Sequence, residues 1–82
     1  MEAQKIDIHR LELNYGHIRI RQPSRVRRIA DSIARNGQLC PLVVVADKDD
    51  RFILIDGYQR HAALRSLARD TAIVVVQDLT EK

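Results

Sequence analysis

The residues that most restrict what this chain can become run from Phe52 to Arg69: Phe-Ile-Leu-Ile-Asp-Gly-Tyr-Gln-Arg-His-Ala-Ala-Leu-Arg-Ser-Leu-Ala-Arg. Phe52 to Ile55 is an apolar run of strand length, Asp56 and Gly57 are turn residues, and Tyr58 to Ala68 carries helical spacing. A strand, a glycine turn and a helix start follow one another without a spacer. The first N–H groups of a helix have no partner inside it and carry the positive end of its dipole. A glycine before them lets an anion approach the backbone closely. Arg60, Ala63, Leu64 and Leu67 fall at i, i+3, i+4 and i+7, so the arginine lies on the stripe that faces the core. Arginine is almost never fully buried without a partner. Two partners fit: a carboxylate of the chain itself, Asp56 or Asp31, with Gly57 serving only the turn, or a bound phosphate.

The remaining segments supply a sheet and a second helix. From Lys5 to Leu13, Ile6, Ile8, Leu11 and Leu13 alternate with polar residues except for a slip at His9 and Arg10, which suits an edge strand with a bulge or early end. Asn14, Tyr15 and Gly16 mark a turn, and His17 to Pro23 reads as extended. A helix follows, with Ser24 as N-cap, Val26, Ile29, Ala30 and Ile33 as its apolar stripe, and Asn36 with Gly37 as its stop. Its exposed side should show Arg25, Arg28, Ser32 and Arg35. Leu42 to Ala46 is a β-branched run typical of a strand buried on both faces, Asp47 to Asp50 a polar hairpin loop, and Thr71 to Val76 a final strand. The first four residues and Gln77 to Lys82 are polar ends expected to fray. By pattern alone, strand, helix, strand, strand, helix, strand suggests a ferredoxin-like split β-α-β fold.

With 82 residues there is room for one small domain, 1–82, and 45% hydrophobic with 30% charged residues is ordinary for a folded one. No segment has the length of a membrane span and the first residues lack the apolar core of a secretion signal, so a cytoplasmic protein with no membrane contact is expected. The single cysteine, Cys40, allows no internal disulfide; it reads as a small apolar plug. His9, His17 and His61 have no metal-ligand spacing with it. A net charge of +3 favours a polyanionic partner only weakly, but its distribution says more. Arg19, Arg21, Arg25, Arg27 and Arg28 crowd into a stretch without an acid, at a helix start where the dipole repels cations. That arrangement is costly for the helix alone and points to contact with the nucleic-acid backbone.

Two motifs together resemble a known family. Ala30 to Val44, reading Ala-Asp-Ser-Ile-Ala-Arg-Asn-Gly-Gln-Leu-Cys-Pro-Leu-Val-Val, resembles the stretch of ParB-type N-terminal domains where a Ser-Ile pair ends a helix, a glycine caps it and a proline opens a strand. Ile55 to Leu64 resembles the same family's Gly-x-Arg-Arg box with its following alanines, and Gln22-Pro23 resembles its Gln-Pro-Arg entry. The resemblance covers Arg21 to Val76 and implies the α+β ParB/sulfiredoxin fold, a small mixed β-sheet with packed helices, in place of the ferredoxin-like guess. It also implies a bound cytidine nucleotide (CTP) with magnesium, a role with DNA, and self-association when both ligands are present. Carried over, Gly37, Gln38 and Pro41 line the base side, and Gly57, Tyr58, Gln59 and Arg60 form the phosphate side.

Departures from the family pattern limit these expectations. Gln59 stands where the box usually has the first of two arginines, so one phosphate contact is neutral and binding weaker. The chain ends before the helical segment that completes the triphosphate site in ParB and has no helix-turn-helix, which puts hydrolysis and operator reading in doubt. Sulfiredoxin, the enzyme on this fold, resembles the same stretch with a cysteine in its box; here Tyr58 occupies that place, and a phenol cannot do thiolate chemistry. Nuclease chemistry finds no acid cluster suited to magnesium. Three functions remain to be separated: a nucleotide- and DNA-binding domain, a protein-interaction module that keeps the fold without ligand, and a weak nucleoside triphosphatase. The second would show Arg60 paired to an acid behind a closed turn.

Overall fold

The computed structural model describes residues 2–13 and 23–77. The turn at Asn14 to Gly16, the extended stretch to Gln22 with Arg19 and Arg21, and the tail beyond Gln77 lie outside the described residues. The described residues form five strands and two helices, in the order β1 (Ala3–Asp7), a 3-10 turn (Ile8–Arg10), β2 (Leu11–Glu12), α1 (Pro23–Asn36), β3 (Leu42–Ala46), β4 (Phe52–Asp56), α2 (Tyr58–Ser66) and β5 (Thr71–Gln77). The sheet order is β1-β5-β3-β4-β2. β1 with β5 and β3 with β4 run antiparallel; β3 with β5 and β2 with β4 run parallel. This mixed sheet replaces the ferredoxin-like arrangement.

The segment expected to be one strand from Lys5 to Leu13 is two strands on opposite edges. The slip at His9 and Arg10 is the 3-10 turn, started by the Asp7 carboxylate, which accepts from the His9 amide at 2.9 Å. That contact and the bond to the His9 ring hold the Asp7 carboxyl below its ordinary value. β1 already pairs at Ala3 and Gln4, opposite Val75 and Val74, inside the segment expected to fray. A flat sheet of five strands would separate its outer strands by about 19 Å. The connection from Asp7 to Leu11, mostly 3-10 in form, covers only about 8 Å at that helix's rise per residue. The sheet therefore curls until its edges nearly meet. Ile8 plugs the seam, fully buried, and its amide donates to the Asp70 carbonyl at 2.9 Å.

Inside the curl lie Leu42, Val44, Leu54 and Val74, joined by Ala30 and Ile33 of α1 and Ala63 and Leu64 of α2. Each fully buried large aliphatic side chain contributes about 1.5 to 3 kcal/mol. The β3–β4 hairpin turns through Asp49 and Asp50, both left-handed at φ 59° and 62°. It is tied down from β2's side: Arg10 Nε donates to the Asp50 carbonyl at 2.6 Å and stacks over Phe52, while Arg51 pairs with Glu12 at 2.5 Å. Pro23, not Ser24, opens α1; Ser24 sits inside it, because a proline's fixed φ suits the first helical position. Gly37, at φ +78°, ends α1, with its amide bound to the Ile33 carbonyl at 2.8 Å. Among the described residues no helix is long and apolar enough to cross a membrane.

Candidate anion-binding groove

α1 and α2 pack against one another, and part of the candidate set lines their junction. The position of α2 is set by Gly57, whose backbone is left-handed at φ 107° and ψ 27°. A Cβ there would stand 2.7 Å from Leu42 Cδ2, so only glycine lets the helix start press onto the beginning of β3. The first bond within α2 runs from the His61 amide to the Gly57 carbonyl at 2.8 Å. The amides of Gln59 and Arg60 precede it and have no acceptor within the helix. Gly57 supplies no side-chain cap, and the first turn holds no acid, so the positive end of the dipole is left uncompensated there.

Arg60 is half-buried, as its place beside the buried Ala63 and Leu64 implies. Neither Asp56 nor Asp31 pairs with it; the ion pairs among the described residues are His9 with Asp7 and Arg51 with Glu12. The internal-carboxylate reading of Arg60 thus lacks its partner among the described residues. Arg60 lines two spaces. One is an open groove of about 480 Å³ lined by Arg25, Arg28, Ile29, Ser32, Gln59 and Arg60. The other is a cleft of about 180 Å³ between α1 and the loop after Gly37, largely apolar, where Ile29, Ile33 and Leu39 meet Gly37 and Gln38. Leu39 is 72% exposed, the most open large apolar side chain among the described residues.

The helical period sorts the arginine cluster. Arg25 and Arg28, one turn apart, face the groove with Ser32; Arg27 and Arg35 are exposed but line neither space. Arg19 and Arg21 lie outside the described residues. The expected base side is brought together only in part. Gly37 and Gln38 line the cleft, whereas Pro41 does not. Gln38's amide is committed elsewhere: Nε2 donates to the carbonyls of Cys40 at 2.9 Å and Ile73 at 2.8 Å, and Oε1 accepts from the Ile73 amide at 2.8 Å. It ties the loop to β5 just before the β3–β5 ladder begins. Gly57 and Tyr58 also stay out of both walls; the Tyr58 hydroxyl donates to the Leu54 carbonyl at 2.9 Å and its ring packs on the core. Cys40 is no apolar plug: it is exposed and lines the cleft, because the loop leaves α1 before β3 turns inward.

One buried residue escaped the sequence reading. His61 is only 5% exposed, and burial, helped by the Arg65 charge one turn on, holds its imidazole below its ordinary value. Its spacing of three from Leu64 was the available signal. Among the described residues no three of His, Cys, Asp or Glu converge to hold a metal ion.

Three comparisons bear on this geometry. The family model of the ParB N-terminal domain matches residues 1–82. No curated protein sequence matches the chain. Among solved structures, sulfiredoxin from Arabidopsis thaliana superposes with a TM-score of 0.87 at 18% identity, over 95% of this chain and 86% of that one. C-terminally truncated ParB from Caulobacter crescentus, complexed with CTP-gamma-S, gives 0.83 at 21% identity, over 96% of this chain and 46% of that one. The same protein on the centromeric parS site gives 0.81 at 22%, over 93% and 40%. A free serine kinase with ADP gives 0.78 at 18%, over 95% and 32%. The shared element is the ParB/sulfiredoxin fold, and the chain spans less than half of the ParB and kinase chains.

Proposed function

Because the chain belongs to the ParB N-terminal domain family, we propose that it binds a nucleoside triphosphate, CTP foremost, along the α1–α2 groove and holds the DNA backbone with the same basic surface. One observation carries this reading: Arg25, Arg28 and Arg60 converge on a single open groove with no carboxylate paired to them among the described residues. Unpaired guanidinium groups in one place fit multi-oxygen anions such as phosphates, which the planar guanidinium fork can bind bidentately. The phosphates lie in the larger groove against Arg60, Arg25, Arg28 and the first amides of α2. The base enters the smaller cleft and covers Leu39. The fold relatives crystallised with CTP-gamma-S and with ADP support a nucleotide, and the one on parS supports DNA.

Gln59 keeps the binding modest. A hydrogen bond to a charged group contributes about 1.5 to 3 kcal/mol, so restoring an arginine by Gln59→Arg tightens triphosphate binding roughly tenfold or more. Magnesium, where present, rides on the phosphates. The reading is one of ligand binding, by a cytoplasmic protein.

Calorimetry with CTP, ATP and GTP tests the nucleotide. Saturable heat with at least one, lost in Arg60→Ala, is expected; no saturable heat with any removes the claim. For DNA, the logarithm of affinity falls linearly with the logarithm of salt, by about 0.9 per phosphate neutralised. Arg25→Ala and Arg28→Ala should each flatten that slope by about one contact. Binding that ignores salt would argue against backbone contact.

A further inference from the structure

We propose that the chain carries a second anion site, which takes the dianionic phosphate group of a phosphomonoester or of free phosphate between Lys5, Arg69 and Thr71. It stands independently of the functional reading above, because none of these three residues lines the groove or the cleft. The topology opens the site. β3 joins β5 only from Leu42, opposite Val74, so the first residues of β5 have no strand on that side. Gln38 fills part of the gap with its two bonds to Ile73, and a pocket of about 150 Å³ remains beside it. Its inner lining is Ile33, Leu64 and Ala72, all buried in the core. Its polar lining is Lys5 of β1, Thr71 at the start of β5, Gln38, and Arg69 in the link from α2. β1 sets Lys5 opposite Ile73. The end of α2 places Arg69: Ala68 takes the left-handed backbone at φ 57°, where glycine is the usual residue, and the Arg69 amide returns to the Leu64 carbonyl at 3.1 Å.

Each cation alone has an ordinary explanation. Arg69 follows a helix C-terminus, where the dipole favours positive charge, and a lysine on an edge strand discourages pairing with other chains. Neither explains why both line one pocket that no acid lines. Lys5 and Arg69 pair with no carboxylate among the described residues. Asp7, opposite Thr71 in the β1–β5 ladder, has its carboxylate engaged by the amide and ring of His9, and Asp70 stays out of the lining. The carbonyls ending α2, which would repel an anion, are already taken: those of Ala63, Leu64 and Arg65 accept from the amides of Leu67, Ala68 and Arg69. Two cations and a hydroxyl match a group with two charges and several acceptor oxygens. A phosphomonoester carries about −1.5 to −2 at pH 7 on three such oxygens, whereas a carboxylate or a nucleic-acid diester brings a single charge. A cavity of about 150 Å³ takes a molecule of benzene's size, enough for the phosphate group itself with its substituent left in solvent.

The test is a titration of the whole chain, followed by amide nitrogen–proton correlation spectra, with inorganic phosphate, methyl phosphate and dimethyl phosphate at constant ionic strength. The amides of Lys5, Arg69, Thr71 and Ile73 should move together on one saturating curve with phosphate, methyl phosphate or both, at a dissociation constant on the order of millimolar. Dimethyl phosphate, with one charge, should bind at least several-fold more weakly. Lys5→Gln and Arg69→Gln each weaken the curve roughly tenfold or more, while the charge-matched Arg27→Gln leaves it within about twofold. Both lysine and arginine are exposed, and the same spectra show that each variant is folded. Methyl phosphate binding at least as well as phosphate identifies a phosphorylated molecule as the natural ligand; phosphate alone binding identifies the free ion. No saturable movement of these amides beyond that given by chloride would overturn the proposal. So would equal affinity for the diester, or a curve unchanged in both pocket variants. Movement of the Gln59 and Arg60 amides reports separately on the groove, so either site can fail while the other stands.

Discussion

Replacing Gln38 separates a structural role from a ligand-binding one. In the fold its amide acts like an extra peptide group, extending the parallel ladder beside β5 before β3 has begun: three hydrogen bonds, two of them to the part-buried Ile73 backbone and one to the exposed Cys40 carbonyl. An intramolecular hydrogen bond contributes about 0.5 to 1.5 kcal/mol net, and a desolvated donor or acceptor left without a partner costs about 1 to 3 kcal/mol. Taking the two Ile73 bonds near the middle of that range and the exposed one near its floor, Gln38→Ala destabilises the ligand-free protein by about 2 to 3 kcal/mol. At roughly 4 to 8 °C per kcal/mol for a domain of this size, the melting temperature by circular dichroism drops about 10 to 20 °C. Gln38→Glu sharpens the test. It keeps an acceptor for the Ile73 amide but sets a carboxylate against two carbonyl oxygens, so at pH 7 it should be at least as damaging as alanine. That carboxyl's folded-state pKa lies above its unfolded value of about 4.3. The penalty relative to wild type therefore shrinks as pH falls through the folded pKa and the oxygen becomes a donor. A Gln38→Ala protein melting within about 3 °C of wild type would refute the structural role and return Gln38 to the ligand.

Two further outcomes follow from the geometry. Gly57→Ala must hold a left-handed backbone, costing about 1 to 2 kcal/mol, and also push into the fully buried Leu42 side chain, whereas Gly37→Ala, with nothing within 4 Å of the added carbon, bears only the backbone cost. Urea denaturation should place Gly57→Ala about 1 kcal/mol or more below Gly37→Ala, and equal midpoints would contradict the close approach. His61 titrates at lower pH in the folded state than its unfolded value of about 6.5. Below that value the unfolded chain binds the extra proton, so stability is lost as pH falls, by at most about 1.4 kcal/mol per pH unit from this group. Its replacement by leucine should flatten the stability profile between about pH 6.5 and 5; parallel profiles would show that burial does not hold the ring neutral.

What could be read in advance was what neighbours along the chain decide. Gly57 with the helix it opens, the Asn36–Gly37 stop, the β3–β4 hairpin and the half-buried place of Arg60 all depend on residues within a turn or two. The division of the arginine cluster was also within reach, since helical spacing alone separates Arg25 and Arg28 from Arg27. The break at Ile8–Arg10 was visible as a slip in alternation, but its meaning depends on the curl of the whole sheet. Gln38 shows the limit most clearly. Its partner Ile73 stands 35 residues away, and no local pattern distinguishes an amide that bonds a distant strand from one offered to a ligand. Cys40 and His61 were misjudged or missed for a related reason: loop path and helix packing, not residue type, decide which small or polar side chain meets solvent.

The short crossing from Ile8 to Arg10 governs how the molecule fails. One proteolytic cut there loosens the two flanking strands together, baring the outer amides of β5 and β4 at once. The remainder is a valine-rich ribbon ready to pair with copies of itself. Damage at that seam is expected to surface as aggregate and not as a partly active protein.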